Sequence, residues 1–271
     1  MKVNMSGQRS FDGINKNTHF DEYGRCLPRG IANATHEKSR RYFSIVQPVI
    51  EYKHIYERLD NGFGIAVDIS LLEFEQRAEA ILGELRAEDD TANILKGVGI
   101  PFILPKAKYE DIGKAMETVY LNAVQQSFNN RFPEYEFINH YPQSLSDKLS
   151  VSKGSRHEKL IEAMKDDVVV GYFFPCLLEY SVPAARERMA SLPEKFLLAG
   201  GYDLAAAFVS APDMLMREDG YPPLLWLSGL NADTEYAGFH FEAYGYDLNF
   251  NRRMHLGHVA EYWASGLVIL G

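Results

Sequence analysis

The run Phe196-Leu197-Leu198-Ala199-Gly200-Gly201-Tyr202-Asp203 is where this sequence comes closest to chemistry. An apolar strand delivers the chain to paired glycines, after which a helix begins. Glycine admits positive φ and close backbone approach, and the unsatisfied N–H groups of a helix start attract anions. Gly200, Gly201, Tyr202 and Asp203 are therefore the expected cradle for a small anionic ligand, at the strand end where open α/β sheets hold ligands. The same residues also make a plain tight connection in which Asp203 caps the helix. They lack the full dinucleotide-binding glycine pattern and a phosphate-loop lysine.

Ser155-Arg156-His157-Glu158 gathers a hydroxyl, a cation, an imidazole and a carboxylate. Ser and Glu three apart form a capping box, which occupies two of the four in starting a helix. Arg156 and His157 remain to line the anion site. His255, His258 and Glu261 recur at three-residue steps and would share one helix face as weak metal ligands, although Gly257 disfavours a helix there. His240 and Glu242 alternate with Phe239 and Phe241, so both leave one side of a strand and could join them. Ordinary surface or core histidines explain the same pattern. No Gly-x-Ser-x-Gly elbow occurs. Cys176 ends an apolar run that would raise its pKa and leave it inert. No catalytic residue and no cofactor follow from these motifs.

Positioning these residues requires a mixed α/β fold. The second half reads as a largely parallel βαβαβ core, with strands over 168–174, 195–199 and 224–227 in one sheet. An antiparallel aromatic hairpin follows around Gly245, between 236–244 and 246–250, and 266–270 is a terminal strand. In the first half, 42–52 and 63–69 read as strands joined across Asn61-Gly62, and 100–104 as a short buried strand. Helices are expected from a capping box at Ser70 and Glu73, over 109–130, from Ser155, from Ser181 and through 205–208. Residues 1–40 lack a periodic apolar face and read as an extended or flexible arm, with little share in folding. Residues 41–271 are then one α/β domain, with a possible internal division near 139–154.

Composition narrows the classes. The 271 residues are 46% hydrophobic and 24% charged, as in a globular chain and unlike collagen or a disordered one. No apolar run approaches a membrane span, and the N-terminus lacks an apolar leader. Two cysteines fit a reducing, cytoplasmic setting and allow at most one long-range disulfide. The net charge of −9 argues against nucleic acid and anionic lipid as partners. Eight Lys/Arg against four Asp/Glu within 1–41 set a basic arm against an acidic body. Two functions therefore stand. One is an enzyme or binding domain for a small anionic molecule. The other is a non-catalytic interaction protein, or a homo-oligomer, using the arm and the aromatic hairpin.

Overall fold

Tyr52, Ile55, Tyr56 and Leu59 recur at three- and four-residue steps. The computed structural model, which describes residues 18–36, 42–217 and 219–271, winds them into helix α1 (Tyr52–Gly62). Ile55 and Leu59 are buried along its inner face. The strand pair expected over 42–52 and 63–69 is therefore not formed. β-branched and aromatic composition favoured strands, but burial of a helical stripe decided the outcome. Helix α2 (Leu71–Ala87) starts as expected, with the Ser70 hydroxyl accepting from Glu73 N at 3.1 Å. It buries Phe74, Ala78, Ile81 and Leu85.

Strand β1 (Ile100–Leu104) leads to one long helical run made of α3 (Ile112–Ala115), a π turn (Met116–Tyr120) and α4 (Leu121–Arg131). Next come β2 (Phe137–Asn139), β3 (Ser150–Val151), α5 (Glu158–Asp166), β4 (Val169–Leu178), α6 (Val182–Arg188) and β5 (Leu197–Leu198). The chain closes with α7 (Tyr202–Ser210), β6 (Leu224–Trp226), β7 (Leu230–Asn231), β8 (Ala237–Tyr244), β9 (Asp247–Met254) and β10 (Trp263–Leu270).

Eight of these strands form one mixed sheet in the order β1-β4-β10-β6-β8-β9-β2, with β5 also on β10. The aromatic hairpin is present as β8 and β9, paired in register from Ala237–Met254 to Tyr244–Asp247. The three expected core strands do share the sheet, but not as parallel neighbours. β4 and β5 each run antiparallel to β10, and β6 runs parallel to it. The C-terminal strand β10 has inserted between β4 and β6. A continuous apolar strand signals burial on both faces, which a central antiparallel strand satisfies equally well.

Those two faces are unlike. On one side lies α7, all nine of whose residues are buried, packed on β1, β4, α1 and α4. A helix apolar on every side must sit inside. On the other side a smaller cluster of Val182, Leu224, Trp226, Leu256 and Trp263 covers the sheet, and β6 alternates Leu225 into the main core between Leu224 and Trp226. The stretch 139–154 packs on this body: Leu145 and Leu149 are buried, and β3 pairs with β7.

Of the expected arm, residues 1–17 and 37–41 lie outside the described residues. Residues 18–36 are laid against the core. Phe20 is fully buried, His19 N donates to Asp90 O, and Cys26 N donates to Cys176 O. A sparse pattern of single anchors replaces the periodic face that sequence reading looks for.

Candidate functional site

The Gly200–Asp203 turn is built by close packing. At Gly200 a Cβ would stand 2.4 Å from the His157 ring, and at Gly201 it would stand 2.6 Å from Met116 Sδ. Both glycines are needed because α5 and the π turn press on the backbone here. Both Asp203 oxygens accept from Gly200 N at 3.0 Å, and His157 Nδ1 lies 3.9 Å from Oδ2. Gly200, Gly201, Tyr202, Asp203 and His157 thus come together, and all are buried. The α7 start is already occupied by the protein's own carboxylate.

Arg156 does not join them. It adopts φ 61° and turns its guanidinium to the carbonyls of Met189, Leu192, Pro193 and Phe196, at 2.7–3.2 Å. Glu194 adds a contact at 3.1 Å. Arg156 therefore fastens the loop before β5. The expected capping box is also absent: the Ser155 hydroxyl accepts from His157 N at 3.2 Å and donates to Ser152 O. Helix α5 begins only at Glu158, because a left-handed Arg156 cannot sit inside a helix.

Burial pushes the Asp203 carboxyl above its ordinary pKa, against the opposing pull of His157 and of the Gly200 and Leu204 N–H groups. A raised folded-state pKa favours the protonated acid. That contribution to stability is complete below about pH 4, the unfolded value, and is lost as pH rises through the folded one. Asparagine keeps the acceptor for Gly200 N without a charge. Asp203→Asn is therefore expected to gain in melting temperature over the wild type progressively from pH 4 to 7. A margin independent of pH would refute a strained buried carboxylate.

From Tyr202 the site continues into a group that sequence reading missed. The Tyr202 and Tyr120 rings stack at 4.4 Å, and Tyr109 closes on both at 5.4 and 5.9 Å. All three hydroxyls are buried; that of Tyr202 has no hydrogen-bonded partner among the described residues, while those of Tyr109 and Tyr120 interact with each other, and burial raises all three pKa values. Leaving the Tyr202 donor unpaired costs roughly 1–3 kcal/mol. Tyr120 and Met116 reach this place because the π turn shifts the helix register, a device common at functional sites and without a sequence signature.

Tyr109 also lines a surface cavity of about 420 Å³, with Lys108, Glu110, Asp111, Lys114, Ala115, Thr118 and Ser146. The acids there differ. Asp111 accepts from Lys114 N, Ser146 Oγ and Asp147 N at 2.6–3.0 Å. Burial opposes them, but these bonds hold its carboxyl below the ordinary value. Lys108 and Lys114 form no ion pair with a carboxylate among the described residues. Two cations, the carboxylates of Glu110 and Asp111 and a phenol therefore line the opening.

No family model, curated protein or solved structure matches this chain. Its chemistry is read from its own geometry.

The histidine set near the C-terminus does not converge on a helix face. His255 (φ 69°) and His258 stack at 5.4 Å on an exposed turn, and Glu261 pairs instead with His36 at 3.7 Å. Among the described residues no group of three or more His, Cys, Asp or Glu is arranged to hold a metal. His240 is buried against Trp226, with Nε2 3.4 Å from Glu242 Oε1. Burial lowers the His240 pKa, and the imidazole beside Glu242 lowers that of the carboxyl.

Proposed function

We propose that this chain binds a small anionic molecule in the cavity over Tyr109, backed by the tyrosine stack and the Gly200–Asp203 turn. One observation carries the reading: an opening lined by Lys108, Lys114 and Tyr109 has behind it, in the same ring stack, a buried Tyr202 hydroxyl without a partner among the described residues. A phosphate or carboxylate supplies an acceptor to Tyr109 at the cavity wall, and Lys108 and Lys114 supply its countercharge against the neighbouring Glu110 and Asp111. Gly201, Asp203 and His157 then act by fixing Tyr202 and the π turn, while Arg156 holds the loop that carries β5.

Ligand capture has a measurable cost. Tyr202→Phe removes an unpaired hydroxyl, so it is expected to raise the melting temperature of the ligand-free protein by roughly 2–4 °C, equivalent to about 1 kcal/mol. Inorganic phosphate, a dicarboxylate and a nucleotide, each at millimolar concentration, are the probes for thermal shift. One of them should stabilise the wild type. Lys108→Ala with Lys114→Ala should then weaken it by about tenfold or more. Failure of all three probes, or binding unchanged in the double variant, would sink the reading.

A second reading rests on the hairpin. Tyr244 is 82% exposed at its tip, Tyr236 is 66% exposed beside its other end, and Tyr246 stacks on Tyr135. Such a surface suits a protein partner or a second copy of the chain, and gel filtration of Tyr244→Ser against wild type tests it. No described helix is long and apolar enough to cross a membrane. A cytoplasmic setting follows from the small number of cysteines, and the acidic body disfavours nucleic acid.

A further inference from the structure

Cys26 and Cys176 lie 150 positions apart in sequence, yet Cys26 N donates to Cys176 O at 2.8 Å. A single backbone N–H···O=C bond limits the Cα separation of its two residues to roughly 6.5 Å, within the range a disulfide spans. Both thiols are reduced and buried. Tyr180 OH donates to Cys26 O at 3.1 Å. Cys176 and Arg25, the chain neighbour of Cys26, line an open cavity of about 390 Å³ with Gly24, Gln47 and Lys96, which gives a small oxidant a path to the Cys176 side of the pair.

The surroundings are also unusual for structural cysteines. Arg188 is fully buried, and its guanidinium meets His19 Nδ1 at 3.1 Å and the Ser191 hydroxyl, with no carboxylate paired to it among the described residues. A buried cation without a countercharge favours an anion beside it. Burial raises both thiols. At Cys26 the Arg188 guanidinium and the Tyr180 hydroxyl oppose that rise, whereas the thiol of Cys176 is pushed well above its ordinary value. The same arginine and the same tyrosine interact with both cysteines, and the two thiols interact with each other.

We propose that Cys26 and Cys176 form an oxidisable dithiol site, which a peroxide closes to a disulfide that fastens residues 18–36 to β4. The Cys26 thiolate attacks one peroxide oxygen, the O–O bond breaks, and the departing hydroxide takes up the proton Cys26 released, leaving as water. Cys26 is then a sulfenic acid. The Cys176 sulfur displaces its hydroxyl, the S–S bond forms, and the hydroxyl leaves with the Cys176 proton as a second water. Two electrons pass from the two thiols to one peroxide.

Because the chain holds only these two cysteines, intact mass reads the outcome directly. The full-length native protein is treated with hydrogen peroxide in modest excess and mapped without reductant. The expected product is a monomer about 2 Da lighter, with a peptide pair joined through Cys26 and Cys176. Its melting temperature should rise by roughly 5–10 °C and return on reduction, since the bond closes a long loop. Cys176→Ala should stop at a Cys26 sulfenic acid that dimedone captures. Several outcomes would overturn the proposal: oxygen added to either sulfur of the wild type without linkage, disulfides between chains, or thiols that stay reduced natively while the denatured chain oxidises. A linked chain with an unchanged melting temperature would overturn the fastening.

Discussion

Phe20→Ala is expected to destabilise the protein by about 3–5 kcal/mol, the cost of emptying a fully buried aromatic site. Phe20 has no exposed surface, and its ring lies 5.6 Å from that of Phe196, just before β5. Its carbonyl accepts from Thr18 Oγ1 at 2.9 Å and from Asn93 Nδ2 at 3.2 Å, so the backbone is held as well. Gly24 anchors the next turn: with φ 79° it passes so close to Gly97 that a Cβ would meet Gly97 N at 2.3 Å. Relaxation into the cavity left by Phe20 is therefore limited. A fall in melting temperature of roughly 10 °C is expected by calorimetry. Deletion of residues 1–36 should cost at least as much. A change below about 2 °C for either variant would mean that this segment is an appendage after all.

Gly113→Ala should come close behind, at about 3 kcal/mol and a fall of roughly 6–12 °C. A Cβ at Gly113 would lie 1.7 Å from Leu145 O. The loop cannot simply step back. Glu117 holds Ser144 Oγ and Leu145 N at 2.8 Å each, and Asp111 holds Ser146 Oγ and Asp147 N. Asp147 is itself in the left-handed region at φ 59°. Since Ser146 forms part of the cavity wall, the same variant should weaken any ligand bound over Tyr109. Gly83→Ala is the control. Gly83 sits within α2 with open space around its Cβ position, so alanine there should stabilise the helix by about 0.5–1 kcal/mol. Equal effects at the two glycines would refute the close approach.

How much of this was legible beforehand depends on the range of the interactions involved. The helix starts at Ser70 and Ser181, the short strand at 100–104 and the aromatic hairpin are written in residues a few positions apart, and the structure contains them. The Gly-Gly turn was recognisable for the same reason, as a strand, two glycines and a helix in direct succession. Its glycines, however, serve the His157 ring and the Met116 thioether, which arrive from distant parts of the chain.

The sequence by itself determined the mixed α/β class, the local elements with their own caps and turns, and the meeting of Gly200 with Asp203, because each rests on contacts within a few residues. Tertiary structure alone decided the strand order, with β10 between β4 and β6, since apolar strands pair by shape and burial and carry no address for a neighbour. It also decided the docking of residues 18–36, which hold the core by single anchors such as Phe20 and Cys26. And it decided the candidate site, where Tyr109, Tyr120 and Tyr202 meet only because a π turn rotates one helix against the buried start of another.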